Sequence, residues 1–206
     1  MCSSIWKMWM VLEAVFLLAT LFLCSNAELS EANKQLSWIV GKWRSDFSGK
    51  VIWPSIPTMT FGEEIEFSEA PIAASSNIQF LNYRQHLFCY TFVAARAWSH
   101  STGDHFHDEW GFITADQHGK VTLITAGNNG FTTYEYGDVW PGKMVLDLRD
   151  VGRISFSRDL PVEDLRRTFI LHNNNYLEQI IEMRTATHPK QGLLEHTRII
   201  YKKQKQ

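Results

Sequence analysis

Two histidines separated by one residue, His105 and His107, are the first group in the sequence whose types and spacing could do chemistry. Side chains at i and i+2 of a strand point to the same face, so both imidazoles could bind one metal ion. A third ligand at a strand-compatible spacing is not obvious, and Gly103 and Asp104 indicate the edge of a loop. The pattern leaves a metal site and a solvated strand start as alternatives, and it favours the second.

Two pairs of adjacent acidic residues, Glu63-Glu64 and Asp108-Glu109, could supply acid–base chemistry. Adjacent residues of a strand face opposite sides, so neither pair is a ready proton donor and acceptor couple. We expect one carboxylate of each pair to point inward and to be satisfied by an arginine, and the other to be solvated. Further charged residues that could act as partners are Glu66, Glu135, Arg167, Glu182 and Arg184.

The segment from Gly137 to Lys143 formally matches the first part of a phosphate-binding loop. Met144 stands where that motif requires Ser or Thr, and a strand pattern follows instead of a helix whose N-terminal amides could face phosphate. The segment therefore predicts a hairpin turn. The sequence also contains neither Gly-x-Ser-x-Gly nor His-Glu-x-x-His, the signatures of two common hydrolase classes.

The composition is that of an ordinary globular protein, with 206 residues, 45% apolar and 20% charged side chains. The 20 basic and 22 acidic residues give a net charge of -2. This balance argues against a nucleic-acid-binding protein and against electrostatic docking to an anionic membrane. The length predicts one domain together with a targeting segment.

The N-terminal residues have the pattern of a secretory signal peptide. Lys7 precedes an apolar run that is free of charged residues from Ala14 to Cys24. Such a run fits the about 7–15 residues of a signal peptide and is shorter than the about 20 residues of a spanning helix. Ser25 to Ala27 supply small residues that predict cleavage after Ala27; an uncleaved anchor is the alternative. We expect residues 1–27 to be the signal peptide and residues 28–206 to be a domain in the secretory lumen or outside the cell, free of the membrane.

Cysteine usage follows from this cleavage. Cys2 and Cys24 leave with the signal peptide, so Cys89 is the single thiol of the mature chain and cannot form an internal disulfide. A domain of this length can bury enough core without one. We expect Cys89 to be a buried small hydrophobe, because the His and Asn signature of a catalytic thiol does not surround it.

The mature chain has the hydrophobic pattern of many strands and almost no helix. Residues 28–40 could form one short helix, and residues 94–108 predict a long hairpin loop. Strand-like runs cover residues 59–67, 110–112, 121–126, 131–139, 144–148, 154–156, 165–171, 177–183 and 195–202. Turn signals lie at residues 119, 128–130, 141–142, 150–152 and 173–175. About ten strands at this spacing predict an all-β antiparallel barrel or sandwich, and a closed barrel of that size could hold one small ligand.

Three separated blocks share their order and spacing with a known family. The first has Gly-Lys-Trp at 41–43, Trp-Pro-Ser-Ile at 53–56 and Phe-Gly-Glu-Glu-Ile at 61–65; the second has His-Asp-Glu-Trp-Gly-Phe-Ile at 107–113; the third has Leu-Glu-His-Thr-Arg-Ile-Ile-Tyr-Lys-Lys at 194–203. These blocks resemble the nitrobindin family, the haem-binding β-barrel also found as the C-terminal domain of some THAP-type proteins. The resemblance runs from about Leu36 to Lys203.

The resemblance implies a closed antiparallel barrel of about ten strands with one b-type haem at an open end. The histidine that binds the haem iron in the family corresponds to His196. From the residues alone, the alternative is an ordinary strand histidine. Ser55 stands at the position of a family threonine that contacts the haem, and Trp43 and Trp53 are candidate walls of the pocket.

The chain differs from the family pattern around these positions. Only Gly49 remains of a stretch that usually has several glycines, and the added Cβ atoms keep the backbone farther from the porphyrin. Trp53 replaces a tyrosine and so lacks its hydroxyl, and Thr197 replaces the leucine after the ligand histidine.

The function implied by the resemblance is that of a ferric haem protein that binds nitric oxide and isomerises peroxynitrite to nitrate, with the cofactor carrying the chemistry. Its partners are haem and small diatomic or peroxynitrite ligands, and a homodimer stays open. The resemblance assigns no catalytic side chain. The alternative is a non-enzymatic, lipocalin-like carrier of haem or another apolar small molecule, since Gly-x-Trp after a short helix also begins such carriers. A barrel that serves as an interaction surface is the third interpretation.

Overall fold

Ten β-strands form the framework of the computed structural model, which describes residues 29–70, 79–87, 108–156 and 161–205. The predicted signal peptide, Cys89 and the pair His105 and His107 lie outside the described residues. The strands are β1 Gly41–Trp53, β2 Ile56–Glu69, β3 Leu81–Leu87, β4 Glu109–Ala115, β5 Lys120–Gly127, β6 Phe131–Trp140, β7 Lys143–Arg153, β8 Val162–His172, β9 Tyr176–Thr185 and β10 Leu194–Lys203.

The strands close into one barrel in which each strand pairs with its neighbours in the chain and β1 also pairs with β10. Every pairing is antiparallel. Closure gives each strand two hydrogen-bonded neighbours, so the sheet has no open edge. The predicted closed antiparallel barrel is therefore confirmed, and Gly137 to Lys143 forms the end of β6 and the turn into β7.

The apolar core fills the barrel end that the N-terminal segment covers. Leu36 and Ile39 are fully buried and pack against Trp43 of β1. The Trp43 indole Nε1 donates a hydrogen bond to the Ile39 carbonyl at 2.7 Å, and the Lys203 ammonium lies 4.8 Å from the indole centroid. These contacts tie the start of β1 to the end of β10. None of the helical segments in the described ranges is long and apolar enough to cross a membrane.

The helix predicted over residues 28–40 is reduced to one 3-10 turn, Asn33–Leu36. A second short 3-10 turn, Pro189–Gln191, precedes β10. The first turn stays short because the buried Asn33 side chain bonds across the barrel end, donating to the Gln79 carbonyl at 2.5 Å and accepting from the Ala115 amide at 2.8 Å. These bonds hold the segment as a cap on the barrel.

Two local predictions, one in β7 and one directly after it, were wrong. The turn predicted at residues 150–152 lies inside the strand, which is continuous from Lys143 to Arg153. The reason is a β-bulge. Tyr134 of β6 pairs with Asp150 and the next residue, Glu135, pairs with Leu148, so β7 has one additional residue between the two pairs. Pairing continues on both sides of it. The strand predicted at 154–156 does not form, and Phe156 is 83% exposed.

The alternation rule did not identify β1 because that strand contains its own irregularity. Arg44 faces Lys202 and Lys50 faces Arg198, so the register on β10 shifts by two residues between them. The Ser48 hydroxyl fills this irregularity by donating to the Ile200 carbonyl at 2.6 Å. Strict alternation of inward and outward side chains is lost there, and the strand loses its two-residue signature.

We expect Gly137→Ala to destabilise the barrel by about 1–3 kcal/mol. A Cβ atom at Gly137 would lie 1.8 Å from the Val145 carbonyl oxygen of β7. The backbone of a paired strand can move away only by straining its hydrogen bonds. Urea unfolding measures the change. Thr132→Ala, at an exposed position on the same strand, is the control and should stay within about 0.5 kcal/mol of wild type. Equal stability of wild type and Gly137→Ala would contradict the prediction.

Candidate functional site

His196 occupies a β-bulge near the start of β10. Glu195 pairs with Glu182 and Thr197 pairs with Ile181, so β9 has no residue opposite His196. A bulge interrupts the alternation of a strand and can redirect a side chain that alternation would place on the other face. His196 is half-buried, and its Nδ1 atom is shielded from solvent.

The indole of Trp53 contacts two imidazoles at this end of the barrel. Its centroid lies 5.4 Å from that of His196 at an interplanar angle of 82°, and 5.4 Å from that of His188 at 84°. Both contacts have the edge-to-face geometry that aromatic pairs prefer. His188 is in turn held by a 3.0 Å hydrogen bond between its Nδ1 atom and the Thr187 hydroxyl. The ring of His196 is therefore oriented by Trp53 at the last position of β1.

The structure brings Ser55 to the same end as His196 and Trp53, but it does not bring Trp43 there. Ser55 is exposed in the turn between β1 and β2. Trp43 is paired with Lys203, whereas Val51, near Trp53, is paired with Thr197. At about 3.3 Å per residue, the six steps along β10 from Thr197 to Lys203 span roughly 20 Å. Trp43 belongs to the apolar core at the opposite end of the barrel.

A buried ionic cluster crosses the middle of the barrel interior. Arg167 of β8 donates to Glu109 of β4 and to Glu135 of β6, with N···O distances of 2.9–3.1 Å. It also donates to the Tyr83 hydroxyl of β3 at 2.8 Å. Thr125 donates to Glu109 and Thr133 to Glu135, each at 2.8 Å. Glu109 thus confirms the expectation that one carboxylate of an adjacent acidic pair points inward and is satisfied by an arginine.

Burial and charge act against each other in this cluster. Burial disfavours the charge on Arg167, but the carboxylates of Glu109 and Glu135 outweigh burial and raise the pKa of the guanidinium well above its usual value. Burial raises the pKa of Glu135 although Arg167 acts to lower it. Burial likewise raises the pKa of Tyr83 well above its usual value, so its hydroxyl stays protonated. The guanidinium is therefore a permanent cation inside the barrel.

A second polar group lies beside this cluster. The Tyr201 hydroxyl is within hydrogen-bond distance of Glu63 at 3.0 Å and of the Gln179 carbonyl oxygen at 2.5 Å. Burial, followed by the charge of Glu63, raises the pKa of Tyr201 well above its usual value. Sequence analysis missed Tyr83, Gln179 and Tyr201. The alternation of inward and outward side chains along a strand could have identified them, because each occupies an inward position.

The donors at the His196 end fit a haem better than a bare metal ion. Across the described ranges, His, Cys, Asp and Glu nowhere form a group of three or more that could hold an ion. A single protein imidazole suffices for haem iron, because the porphyrin supplies four nitrogen ligands of its own. His196 is the imidazole at this end that could bind the iron, and Trp53 is its flat apolar neighbour.

Comparison with known proteins identifies the same type of barrel. A family model described as THAP4-like, heme-binding beta-barrel domain matches residues 32–203. The Caenorhabditis elegans protein C28H8.5 is 35% identical over 179 residues, or 82% of this chain and 55% of that protein. The mouse protein named peroxynitrite isomerase THAP4 is 29% identical over 177 residues, or 85% of this chain and 28% of that protein.

A solved structure shows the same fold at low identity. The crystal structure of Rv2717c from M. tuberculosis has a TM-score of 0.65 at 23% identity and covers 86% of this chain and 100% of that one. The chain spans about half the length of the nematode relative and about a quarter of mouse THAP4. The family model nevertheless covers nearly all of the barrel, from the N-terminal turn to the end of β10. This chain belongs to the family of THAP4-like haem-binding β-barrel domains.

Proposed function

We propose that the domain binds one b-type haem with His196 as the axial ligand of the iron. The observation that carries the proposal is the bulge at His196, together with the edge-to-face contact that orients its ring. A ring fixed by packing on a rigid strand needs little reorganisation to bind a metal. Trp53 would pack against the ligand imidazole, and the Ser55 hydroxyl would be available to the haem from the β1–β2 turn.

The proposed activity is binding of nitric oxide and isomerisation of peroxynitrite to nitrate. When bound, ferric haem would supply the iron centre at which both ligands react. The residues of this chain would hold the haem and orient the His196 imidazole, and no side chain of the chain is assigned to proton transfer. Support comes from the relatives, since the mouse protein that shares this domain is named peroxynitrite isomerase THAP4.

A location in the secretory lumen or outside the cell is a further part of the proposal, and the N-terminal residues support it. The apolar run from Ala14 to Cys24 and the small residues before Glu28 support export of the domain. In this proposal the haem domain works in the secretory lumen or outside the cell. A barrel that contains no disulfide among its mature residues would then depend on its core and buried cluster for stability.

The first test is haem titration of the purified protein, followed by absorption in the Soret region. We expect uptake of one haem per chain, and we expect His196→Ala to weaken binding by at least about tenfold, since even partners of metal ligands contribute that much. His188→Ala is the matched control, because His188 contacts the same indole at the same distance. The control should keep the Soret position of wild type.

Three outcomes decide the proposal. A Soret band that His196→Ala loses and His188→Ala keeps would support it and justify nitric oxide and peroxynitrite assays. A band unchanged in His196→Ala would contradict the assignment of the ligand. The absence of stoichiometric uptake by wild type would contradict haem binding altogether.

A second test concerns Trp53. Replacing it with alanine removes the edge-to-face contact with His196, and such contacts contribute about 0.5–1.5 kcal/mol. We therefore expect Trp53→Ala to release haem roughly 2–10 times faster than wild type, whereas Trp53→Phe keeps an aromatic edge and should release it at nearly the wild-type rate. Transfer of haem to an excess of an apoprotein scavenger measures the rate. Equal rates for the two variants would show that the aromatic contact does not orient the ligand.

A further inference from the structure

An open groove lies at the end of the barrel that the N-terminal segment covers, opposite to the His196 end. Its volume is about 630 Å³. It is lined by residues between Lys34 and Trp38, by the end of β6 with the turn into β7, and by the end of β8 with the turn into β9. Sites for small ligands commonly have volumes of about 300–1,000 Å³, so the groove is large enough to hold one.

Two indoles line this groove. Trp140, the last residue of β6, is 49% exposed, whereas Trp38 is partly buried and packs against the apolar core. Pro141 and Leu171 add further apolar surface to the lining. Tryptophan offers a ligand a large, flat and rigid apolar surface. The groove therefore suits a ligand that contains a ring with an apolar face.

Neutral polar side chains share the groove with the indoles. Gln35, Ser37 and Asn174 line it, and amide and hydroxyl groups can both donate and accept hydrogen bonds. The Gln35 amide nitrogen donates to the Ala32 carbonyl at 3.1 Å and to the Asp116 carbonyl at 2.8 Å, so the carbonyl oxygen of the side chain remains as an acceptor. Ser37 and Asn174 are exposed. The lining thus combines apolar walls with hydrogen-bonding groups of both kinds.

The walls of the groove are held in place before any ligand binds. Gly142 and Asn174 have φ angles of +75° and +58°, the left-handed conformation that shapes the two turns. The Leu171 amide donates to the Gly142 carbonyl at 2.7 Å and joins the end of β8 to the β6–β7 turn. The bond from Gln35 to Asp116 joins the N-terminal segment to the barrel. A site formed in advance loses little conformational entropy on binding.

The charge of the groove narrows the class of ligand. Of the described residues that line it, Lys34 alone is charged, and its ammonium bonds to the Glu31 carboxylate at 2.6 Å. A cationic ligand would find no carboxylate among these lining residues, and an anionic ligand would compete with Glu31 for the ammonium. A wholly apolar ligand would remove water from the amides and hydroxyls without replacing its hydrogen bonds.

We propose that this groove binds a neutral saccharide, with a pyranose ring against the Trp140 indole and hydroxyl groups bonded to Gln35, Ser37 and Asn174. A pyranose has an apolar face of C–H groups that can pack on an aromatic ring, and its hydroxyls both donate and accept hydrogen bonds. It therefore matches the apolar and the polar parts of the lining at once. The site is separate from the His196 end and does not depend on haem binding.

The test is saturation-transfer NMR of the purified protein with four neutral disaccharides, namely maltose, cellobiose, lactose and N,N′-diacetylchitobiose, and with indole as an apolar probe. We expect at least one disaccharide to bind and to receive most saturation at the C–H groups of one ring face. Titration gives its affinity, and Trp140→Ala should weaken this binding at least about tenfold, because tryptophan is a dominant contact where it carries a ligand.

Two further variants define the site. Trp110→Ala is the matched control, because Trp110 is also a half-exposed tryptophan, at 54%, but lies on β4 outside the groove; it should leave saccharide binding unchanged. Asn174→Gly removes the side-chain amide and keeps a residue that adopts the left-handed conformation without strain. It should weaken binding about two- to tenfold, the effect of one hydrogen bond.

The remaining outcomes would overturn the inference. They are failure of all four disaccharides to bind, binding that Trp140→Ala and Asn174→Gly both leave intact, and binding that Trp110→Ala abolishes as well. Binding of indole without binding of any disaccharide would identify an apolar site and would also overturn it. Asn174→Gly tests the inference even where Trp140→Ala folds poorly, which circular dichroism of each variant shows.

Discussion

The Arg167 cluster is the interaction on which the barrel wall depends. One guanidinium on β8 joins β3, β4 and β6 across the interior through Tyr83, Glu109 and Glu135. A buried ion pair of this kind contributes little net stability compared with apolar packing, but loss of one partner leaves an uncompensated charge and typically costs about 3–5 kcal/mol. The cluster therefore fixes which strands face each other across the interior. It also keeps the interior polar, which costs desolvation free energy that an apolar core would not.

The candidate site at His196 owes its geometry to a β-bulge that interrupts the regular alternation of β10. A strand histidine in regular alternation points either to solvent or to the core, and neither position leaves a ring both oriented and accessible. The bulge at His196 provides an intermediate case, half-buried and in contact with Trp53. The irregularity in β1 between Arg44 and Lys50 lies on the strand that carries Trp53. The two irregular strands are neighbours, and further register shifts lie between β6 and β7 and between β8 and β9.

Sequence patterns predicted the parts of the fold that follow simple periodicity. The strand-like runs in β2, β6, β8, β9 and β10 and the turns at Gly119, Asn128–Gly130 and Pro141-Gly142 correspond to the observed elements. The patterns failed where bulges shift the register, as in β1 and β7, and where the tertiary contacts of Asn33 override helical spacing. The alternation of side chains along a strand predicted that one carboxylate of the pair Asp108-Glu109 points inward. It could not predict which of several charged residues, far apart in the sequence, would be its partner. His196 was identified by resemblance, because a bulge has no signature in a single sequence.

The polarity of the side chains inside the barrel therefore changes from one end to the other. The end near the N-terminal turn is an apolar core around Leu36, Ile39 and Trp43, the centre is an ionic cluster whose cation is fully occupied, and the far end carries His196 and Trp53. A planar ligand bound at the far end would direct its inner edge toward carboxylates and its outer edge toward water. The residues that hold the strands together therefore lie inward of the residues that would hold the ligand, and the Arg167 guanidinium is neutralised by carboxylates of the protein itself.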